Sequence, residues 1–404
     1  MFATFTLIIL TAALTIPEHQ RDLKRPTILC VAPFNNPHIV PFYEEVALAD
    51  QFDTTLVSLG KISDDRKRLG WAEMEETNHW LQPWRSRLDW IRYLKKLLTA
   101  DIVVFPGFFH TRFLPVHHFI RRITFRKTIL WSEPFLNHPR SENESKLKRA
   151  LRRIALAPFN TSRYSFLAMG MGAEDDYRKL GMSRWRYRQF LFSVQCCQAN
   201  PTFQPPAKDG VARIIYSGSL VHRKGVDILL RAVSLISLEK NPFHLTILGD
   251  GPERKELECL TEGLGLVGVV SFIGSKSVDE VSGVLLNHDI LVLPSRFDGW
   301  GAVVNEAMEC SLAVIVSDQV GSRRPLIVEG VNGFVFEKNS VRDLSEKLLL
   351  TISDLDTLQY FKAKSRERIE QFSPFSVAQE FVRFCEAIES GDDFSPSGDT
   401  LGLI

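Results

Sequence analysis

The chain of 404 residues is longer than one hydrophobic core usually organises, since single domains cluster near ~100 to 150 residues, so two domains of similar size are expected. With 45% hydrophobic residues, 24% charged residues and a net charge of +1, it has neither the basic excess of a nucleic-acid binder nor the polar bias of a disordered chain. Cysteines at positions 30, 196, 197, 259, 310 and 385 form no C-x-x-C pair and no ligand spacing with histidine. They support neither a disulfide framework nor a zinc site, and they fit the reducing cytosol.

The chain opens with MFATFTLIILTAALTI, which is uncharged but shorter than the ~20 apolar residues of a spanning helix and lacks the basic start of a secretory signal. Residues 1–25 are therefore read as an extension, dispensable or lying shallowly on a membrane, in preference to a cleaved signal. From Pro26, apolar runs alternate with helical stretches: TILCVAPF, PFYEEVALADQF, DTTLVSL, DIVVFPG, KTILWSEPF and YSFLAMG. That alternation predicts a parallel sheet covered by helices across residues 26–197. The ends of its strands bring Asn35 and His38 in FNNPHIV, His110 after DIVVFPG, and Glu133 after KTILW. Each is more often a structural residue than a functional one, and the functional reading would be contact with an acceptor.

Between Arg112 and Arg153 the chain carries eleven Lys or Arg against three Glu. Within that region KLKRALRRIAL sets Leu147, Leu151 and Ile154 on one helical face. Such a basic amphipathic helix can lie on anionic lipid; a solvated basic face with its leucines packed inward is the commoner arrangement and the one expected.

Residues 198–210, QANPTFQPPAKDG, contain three prolines and no periodicity, which predicts a linker. The alternation then restarts over 211–372 with RIIYSGS, HLTILGDG, VVSFIGS, DILVLPS and LAVIVSD. A serine-capped helix is predicted over 373–389, followed by a loose tail over 390–404.

In parallel α/β sheets, ligands bind beyond the carboxyl ends of the strands, where helix N–H groups face outward. Four loops of the second domain leave that edge. SGSLVHRKG offers Gly218, Ser219 and the adjacent cations Arg223 and Lys224, a pairing suited to a diphosphate although the Walker spacing is absent. LGDGPER offers Gly249 and Gly251 but places Arg254 where a dinucleotide fingerprint needs glycine, and simple turn formation explains both glycines about as well. FDGWGAVVNEAME puts Asp298 on a loop, Gly299 and Gly301 where backbone can approach a ligand, and Glu306 inside the following helix. Alone, Asp298 would read as a helix cap and Glu306 as a surface charge. SDQVGSRRPLIVEGVNGFVF adds Gly321, Asn332 and Gly333 as turn residues around another strand.

Taken together over about residues 211–385, these motifs resemble the retaining GT-B glycosyltransferases of family 4, the glycosyl transferases group 1. The resemblance implies an α/β fold of two Rossmann-like domains facing a central cleft. It implies a hexosyltransferase that moves a sugar from a nucleotide diphosphate sugar to a glycan or lipid-linked acceptor with retention, by front-face displacement, in polysaccharide or lipopolysaccharide biosynthesis. Glu306 then matches the acid on the donor ribose, Asp298 the acid on the donor sugar, and the backbone of Gly301, Ala302 and Val303 the segment against sugar and phosphate. Lys224 matches the diphosphate lysine. Two departures stand out. The first acid of the E-x7-E motif is aspartate here, and Ser219 occupies a position where relatives often carry arginine, whose charge Arg223 is expected to supply. No DxD-type metal motif is present, so no metal and no cofactor beyond the nucleotide-sugar co-substrate is expected. The expected location is cytoplasmic, with peripheral contact at the inner membrane face through the basic region 112–153 as the alternative reading, and no nucleic-acid partner is expected. The alternatives are a non-catalytic GT-B protein that binds a nucleotide sugar or glycan, and a nucleotide-sugar epimerase.

Overall fold

A computed structural model describes residues 25–34, 38–63, 67, 79–108, 114–135, 146–170, 172–190, 193 and 210–392. In the first half the strands are β1 (Thr27–Ala32), β2 (Asp53–Ser58), β3 (Ile102–Pro106), β4 (Lys127–Ser132), β5 (Tyr164–Met169) and β6 (Arg186–Phe190). Its helices are α1 (Val40–Leu48), α2 (Arg87–Thr99), α3 (Leu114–Ile123), α4 (Lys146–Leu156) and α5 (Ala173–Lys179). In the second half the strands are β7 (Ala212–Ser217), β8 (Phe243–Leu248), β9 (Val270–Gly274), β10 (Ile290–Leu293), β11 (Ala313–Ser317) and β12 (Gly333–Phe336). Helices α6 (Val226–Val233), α7 (Arg254–Gly263), α8 (Val278–Leu285), α9 (Val303–Glu309) and α10 (Arg323–Leu326) alternate with them. Three helices close the described chain: α11 (Val341–Ile352), α12 (Leu355–Glu370) and α13 (Pro374–Ser390).

Both sheets are six-stranded and parallel, in the orders β2-β1-β3-β4-β5-β6 and β12-β11-β10-β7-β8-β9. Burial on both faces is why the strands read as continuous apolar runs; β3, IVVFP, and β11, AVIVS, are buried throughout. The exception is β6, RYRQF, which no apolar run announced because it is an edge strand with polar, largely uncovered side chains. The first sheet reverses its order between β1 and β3, the second between β7 and β10, and ligand crevices in such sheets open at these reversals.

The last helix returns to the first half. Ser373 caps it, its hydroxyl accepting from Ser376 N at 3.2 Å, and Pro374 occupies the first turn, where its missing N–H costs nothing. Phe381 meets Phe42 of α1 edge-on at 5.4 Å, and Lys127 Nζ at the start of β4 lies 3.0 Å from the Glu389 carboxylate.

The two halves bury a cation differently. Lys362 of α12 pairs with Asp289 at 2.7 Å, both almost fully enclosed, and the same carboxylate accepts from Arg213 N at 3.1 Å. Arg121 of α3 is enclosed too, but its guanidinium donates to the carbonyls of Leu97, Ala100, Asp101 and Lys127 at 2.7 to 3.2 Å.

One expectation is overturned. The leucine face of α4 does not pack inward: Leu147, Leu151 and Ile154 are 69%, 56% and 70% exposed, and Leu156 is the buried residue of the helix. Among the described residues no helix is long and apolar enough to cross a membrane.

Candidate active site

The site grows from the β7/β10 reversal. After β7 the chain turns at Gly218, whose φ of +152° is a region that side chains avoid. A Cβ there would stand 2.9 Å from the Tyr216 hydroxyl and 3.9 Å from Lys224 Cε, so the missing side chain gives both groups room. The Tyr216 hydroxyl donates to the Ser219 carbonyl at 2.9 Å. Burial pushes that phenol up, and the neighbouring Asp298 carboxylate pushes it further. A 3-10 turn, His222–Lys224, presents the two cations, and Gly225, in the left-handed region at φ +67°, ends it and begins α6. A Cβ on Gly225 would lie 2.2 Å from the Pro294 carbonyl oxygen, so this turn rests directly on the segment that leaves β10.

That contact brings the third loop against the first. Lys224 Nζ lies 2.5 Å from Asp298 Oδ2, with both side chains only 12% exposed, and Ser295 Oγ is 3.3 Å from the same oxygen. Arg223 donates to the Phe297 carbonyl at 3.3 Å, and its own carbonyl accepts from Arg296 N at 2.7 Å. Asp298 is therefore the partner of a cation and not a helix cap; the helix cap position is Ala302, which makes no side-chain cap bond. Gly301, at φ +85°, turns the chain into α9, and Trp300 is buried with its indole N–H on Asn305 Oδ1 at 2.9 Å. Glu306 sits in the first turn of α9, 12% exposed, with its carboxylate 3.7 Å from His38 Nδ1 of the first half. It is not a free surface charge.

The two halves meet at glycines. A Cβ on Gly299 would come 2.2 Å from Glu133 Oε2, one on Gly170 would come 2.3 Å from the Gly299 carbonyl oxygen, and one on Gly321 would come 1.8 Å from the same oxygen. Glu133 and His38 thus both reach the loop and helix that carry Asp298 and Glu306. Asn35 and His110 lie outside the described residues.

Gly249 and Gly251 hold the loops together. Cβ atoms there would fall 1.9 Å from the Gly218 carbonyl oxygen and 2.3 Å from that of Leu220, so each glycine lets the second loop lie backbone to backbone on the first. Two residues were missed by the sequence reading. Arg296 grips Asp227 through both guanidinium nitrogens at 2.8 and 2.7 Å and donates to the His222 carbonyl at 2.7 Å and to Asn339 Oδ1 at 2.9 Å. Burial alone would raise the Asp227 pKa, but the Arg296 guanidinium outweighs it and holds the carboxyl below its ordinary range. Nothing in the spacing of Arg296 and Asp227, 69 positions apart, could have paired them. Among the described residues no group of three or more His, Cys, Asp or Glu is placed to hold a metal ion.

The region that carries these loops has recognisable relatives. Residues 199–368 match the family of glycosyl transferases group 1. An uncharacterized glycosyltransferase of Methanocaldococcus jannaschii is 34% identical over 159 residues, 39% of this chain and 43% of that protein. The gpi3 subunit of the phosphatidylinositol N-acetylglucosaminyltransferase of Schizosaccharomyces pombe is 30% identical over 191 residues, 46% of this chain and 41% of that protein. The matches thus span less than half the length of these curated relatives. In three dimensions, Anabaena HepE, solved in complex with UDP, superposes with a TM-score of 0.66 over 89% of this chain and all of its own, at 16% identity. The architecture is that of GT-B glycosyltransferases, two Rossmann-like parallel sheets of six strands each.

Proposed function

We propose that the protein transfers a sugar, with retention, from a nucleotide diphosphate sugar to a glycan or lipid-linked acceptor. The observation that carries this reading is the Lys224–Asp298 pair at the β7/β10 reversal, with Arg223 beside it and Glu306 along the same segment. An arriving diphosphate competes with Asp298 for Lys224, and the freed carboxylate then faces the sugar hydroxyls next to the phosphate. Arg223 and Lys224 supply positive charge where the leaving diphosphate develops negative charge, which is the main electrostatic demand of the reaction. In this reading Gly299, Gly301, Ala302 and Val303 line the donor with backbone, Gly218, Ser219, Gly249 and Gly251 shape the phosphate loop, and Glu306 accepts from the ribose. Residues 26–197 take the acceptor, with His38 and Glu133 at its cleft edge.

Support for a nucleotide-sugar donor comes from the family match and from HepE, a structural neighbour solved with UDP. The phosphatidylinositol acceptor in the name of the gpi3 relative favours a lipid-linked acceptor among the possibilities.

The test is incubation of purified protein with labelled UDP-, GDP- and ADP-sugars, with and without lipid-linked acceptors, after a thermal-shift screen of the free nucleotides. Transfer that depends on acceptor supports the proposal. Donor conversion without acceptor would instead indicate an epimerase, and binding without conversion a non-catalytic protein. Because side-chain cations are assigned the charge-neutralising role, activity should survive EDTA; loss restored by magnesium or manganese would overturn that assignment.

A further inference from the structure

Asn305 stands where an apolar residue is expected. It lies in the first turn of α9 at 0% exposure, beside the buried Val304, Ala307 and Met308, where an amide lowers stability unless it is paired and a leucine would pack without that cost. Its partner is Trp300. The indole N–H donates to Asn305 Oδ1 at 2.9 Å, and because an indole only donates, the amide must present its oxygen. Trp300 is itself enclosed, at 2% exposure, so the bond is shielded from competing water. The bond spans a joint. Gly301, at φ +85°, separates the loop from the helix, and Ala302 at the helix start makes no side-chain cap bond. The loop before the joint is anchored elsewhere: Asp298 N donates to the Gln319 carbonyl and Gly321 N to that of Asp298, both at 3.1 Å, and Ser322 N donates to the Trp300 carbonyl at 2.9 Å. Asp298 is thus fixed to the segment that follows β11, whereas Glu306 travels with α9. Apolar packing holds α9 down but has no direction. A hydrogen bond has one, and this bond joins a residue two positions after the first acid to a residue one position before the second.

We propose that Trp300 and Asn305 are positioning residues for the reaction: their bond fixes the spacing between Asp298 and Glu306, so that one donor molecule meets both carboxylates at once. The assignment rests on the reading of Glu306 as the ribose acid and Asp298 as the acid beside the transferred sugar. A free nucleoside diphosphate uses only the Glu306 end of that span, together with Arg223 and Lys224, and tolerates an altered spacing. The intact donor uses both ends, and a misplacement of about 1 Å at the reacting end can cost about a hundredfold in rate.

Asn305→Leu, Trp300→Phe and the double variant are compared with the native protein by thermal unfolding, by calorimetry with UDP, GDP or ADP, and by kcat with whichever labelled UDP-, GDP- or ADP-sugar the native protein turns over. Each single change leaves one buried polar group without this partner and should lower the thermal midpoint, and the double change should lower it by less than the two together. Well below all the midpoints, kcat should fall about tenfold or more in both single variants and stay as low in the double one, while nucleotide affinity changes by less than about threefold. That split marks positioning, because a bond that served stability alone would leave kcat of the folded enzyme native, or restore it in the double variant. Either of those results, or nucleotide affinity lost in step with kcat, would overturn the proposal. Trp300→Phe keeps an apolar ring in place and tests the bond by itself if Asn305→Leu does not fold. A native protein that transfers no sugar would instead refute the transferase reading, and the positioning role with it.

Discussion

At the β7/β10 reversal of the second sheet, Lys224 meets Asp298 and Arg296 meets Asp227, so two loops from different strands are tied at two points. At the cleft edge of the first sheet, His38 and Glu133 instead reach across to Glu306 and Gly299 of the other half. The contrast teaches where preorganisation resides. The second half builds its charged geometry within itself, as the proposed role in meeting developing charge requires, while the first half contributes single side chains whose position depends on the two halves being closed together. The buried cations repeat the theme, Lys362 answered by a carboxylate and Arg121 by four carbonyls.

The largest expected effect tests that last difference. Lys362→Met leaves Asp289 charged and enclosed, and should cost about 3 to 5 kcal/mol in denaturant unfolding, with much of it recovered by adding Asp289→Asn. Arg121→Met removes the buried charge together with its donors, leaving neutral carbonyls short of partners at about 1 to 3 kcal/mol. If the arginine change proves the costlier, the two halves do not differ as described.

Next in size is the site itself. Replacing Arg223 and Lys224 together by alanine should lower kcat/KM by about 10²- to 10³-fold with the fold retained and only a modest fall in the thermal midpoint from the broken Lys224–Asp298 tie, because neither side chain lies in the apolar core. Near-normal turnover would remove the phosphate role assigned to them.

The same asymmetry governs what could be read from the chain. Strands β7, β8, β10 and β11 and the residues Lys224, Asp298 and Glu306 were legible because apolar runs, glycines and acids fall within short continuous stretches. Helices α11 and α12 went unread, although Ser340 and Asp354 cap them, each accepting from backbone N–H groups of its first turn. What stayed hidden depends on residues far apart: Arg296 on Asp227, Glu133 on Gly299, α13 on α1. The exposure of Leu147, Leu151 and Ile154 was hidden for a different reason, since periodicity locates an apolar stripe but not what covers it.

The two acids should separate by a smaller margin. Glu306→Ala removes a proposed partner of the ribose, so free nucleoside diphosphate should bind about 1.5 to 3 kcal/mol more weakly in calorimetry. Asp298→Ala should leave that affinity unchanged or improve it, because Lys224 no longer has a carboxylate at 2.5 Å to give up, and should lower turnover of the intact donor instead. Equal losses of nucleotide affinity in both variants would break the division between them.

The smallest effect concerns the Arg296 clamp, and its sign with pH is the informative part. Asp227→Asn keeps the shape and one acceptor but removes the charge, and because the pair is partly exposed the loss at neutral pH should be about 1 kcal/mol or less. The Asp227 carboxyl is held below its ordinary range in the folded protein, so its contribution is complete above the unfolded value near ~3.9 and disappears as pH falls through the lower folded value. The stability gap between the native protein and Asp227→Asn should therefore be flat from pH 8 to about 5 and close only in stronger acid, where the native side chain is protonated as well. Added salt should narrow the neutral-pH gap. A gap that instead widens as the solution is acidified would mean that Arg296 does not stabilise the Asp227 carboxylate, and the bracing between the two loops would have to reside in Lys224 and Asp298 alone.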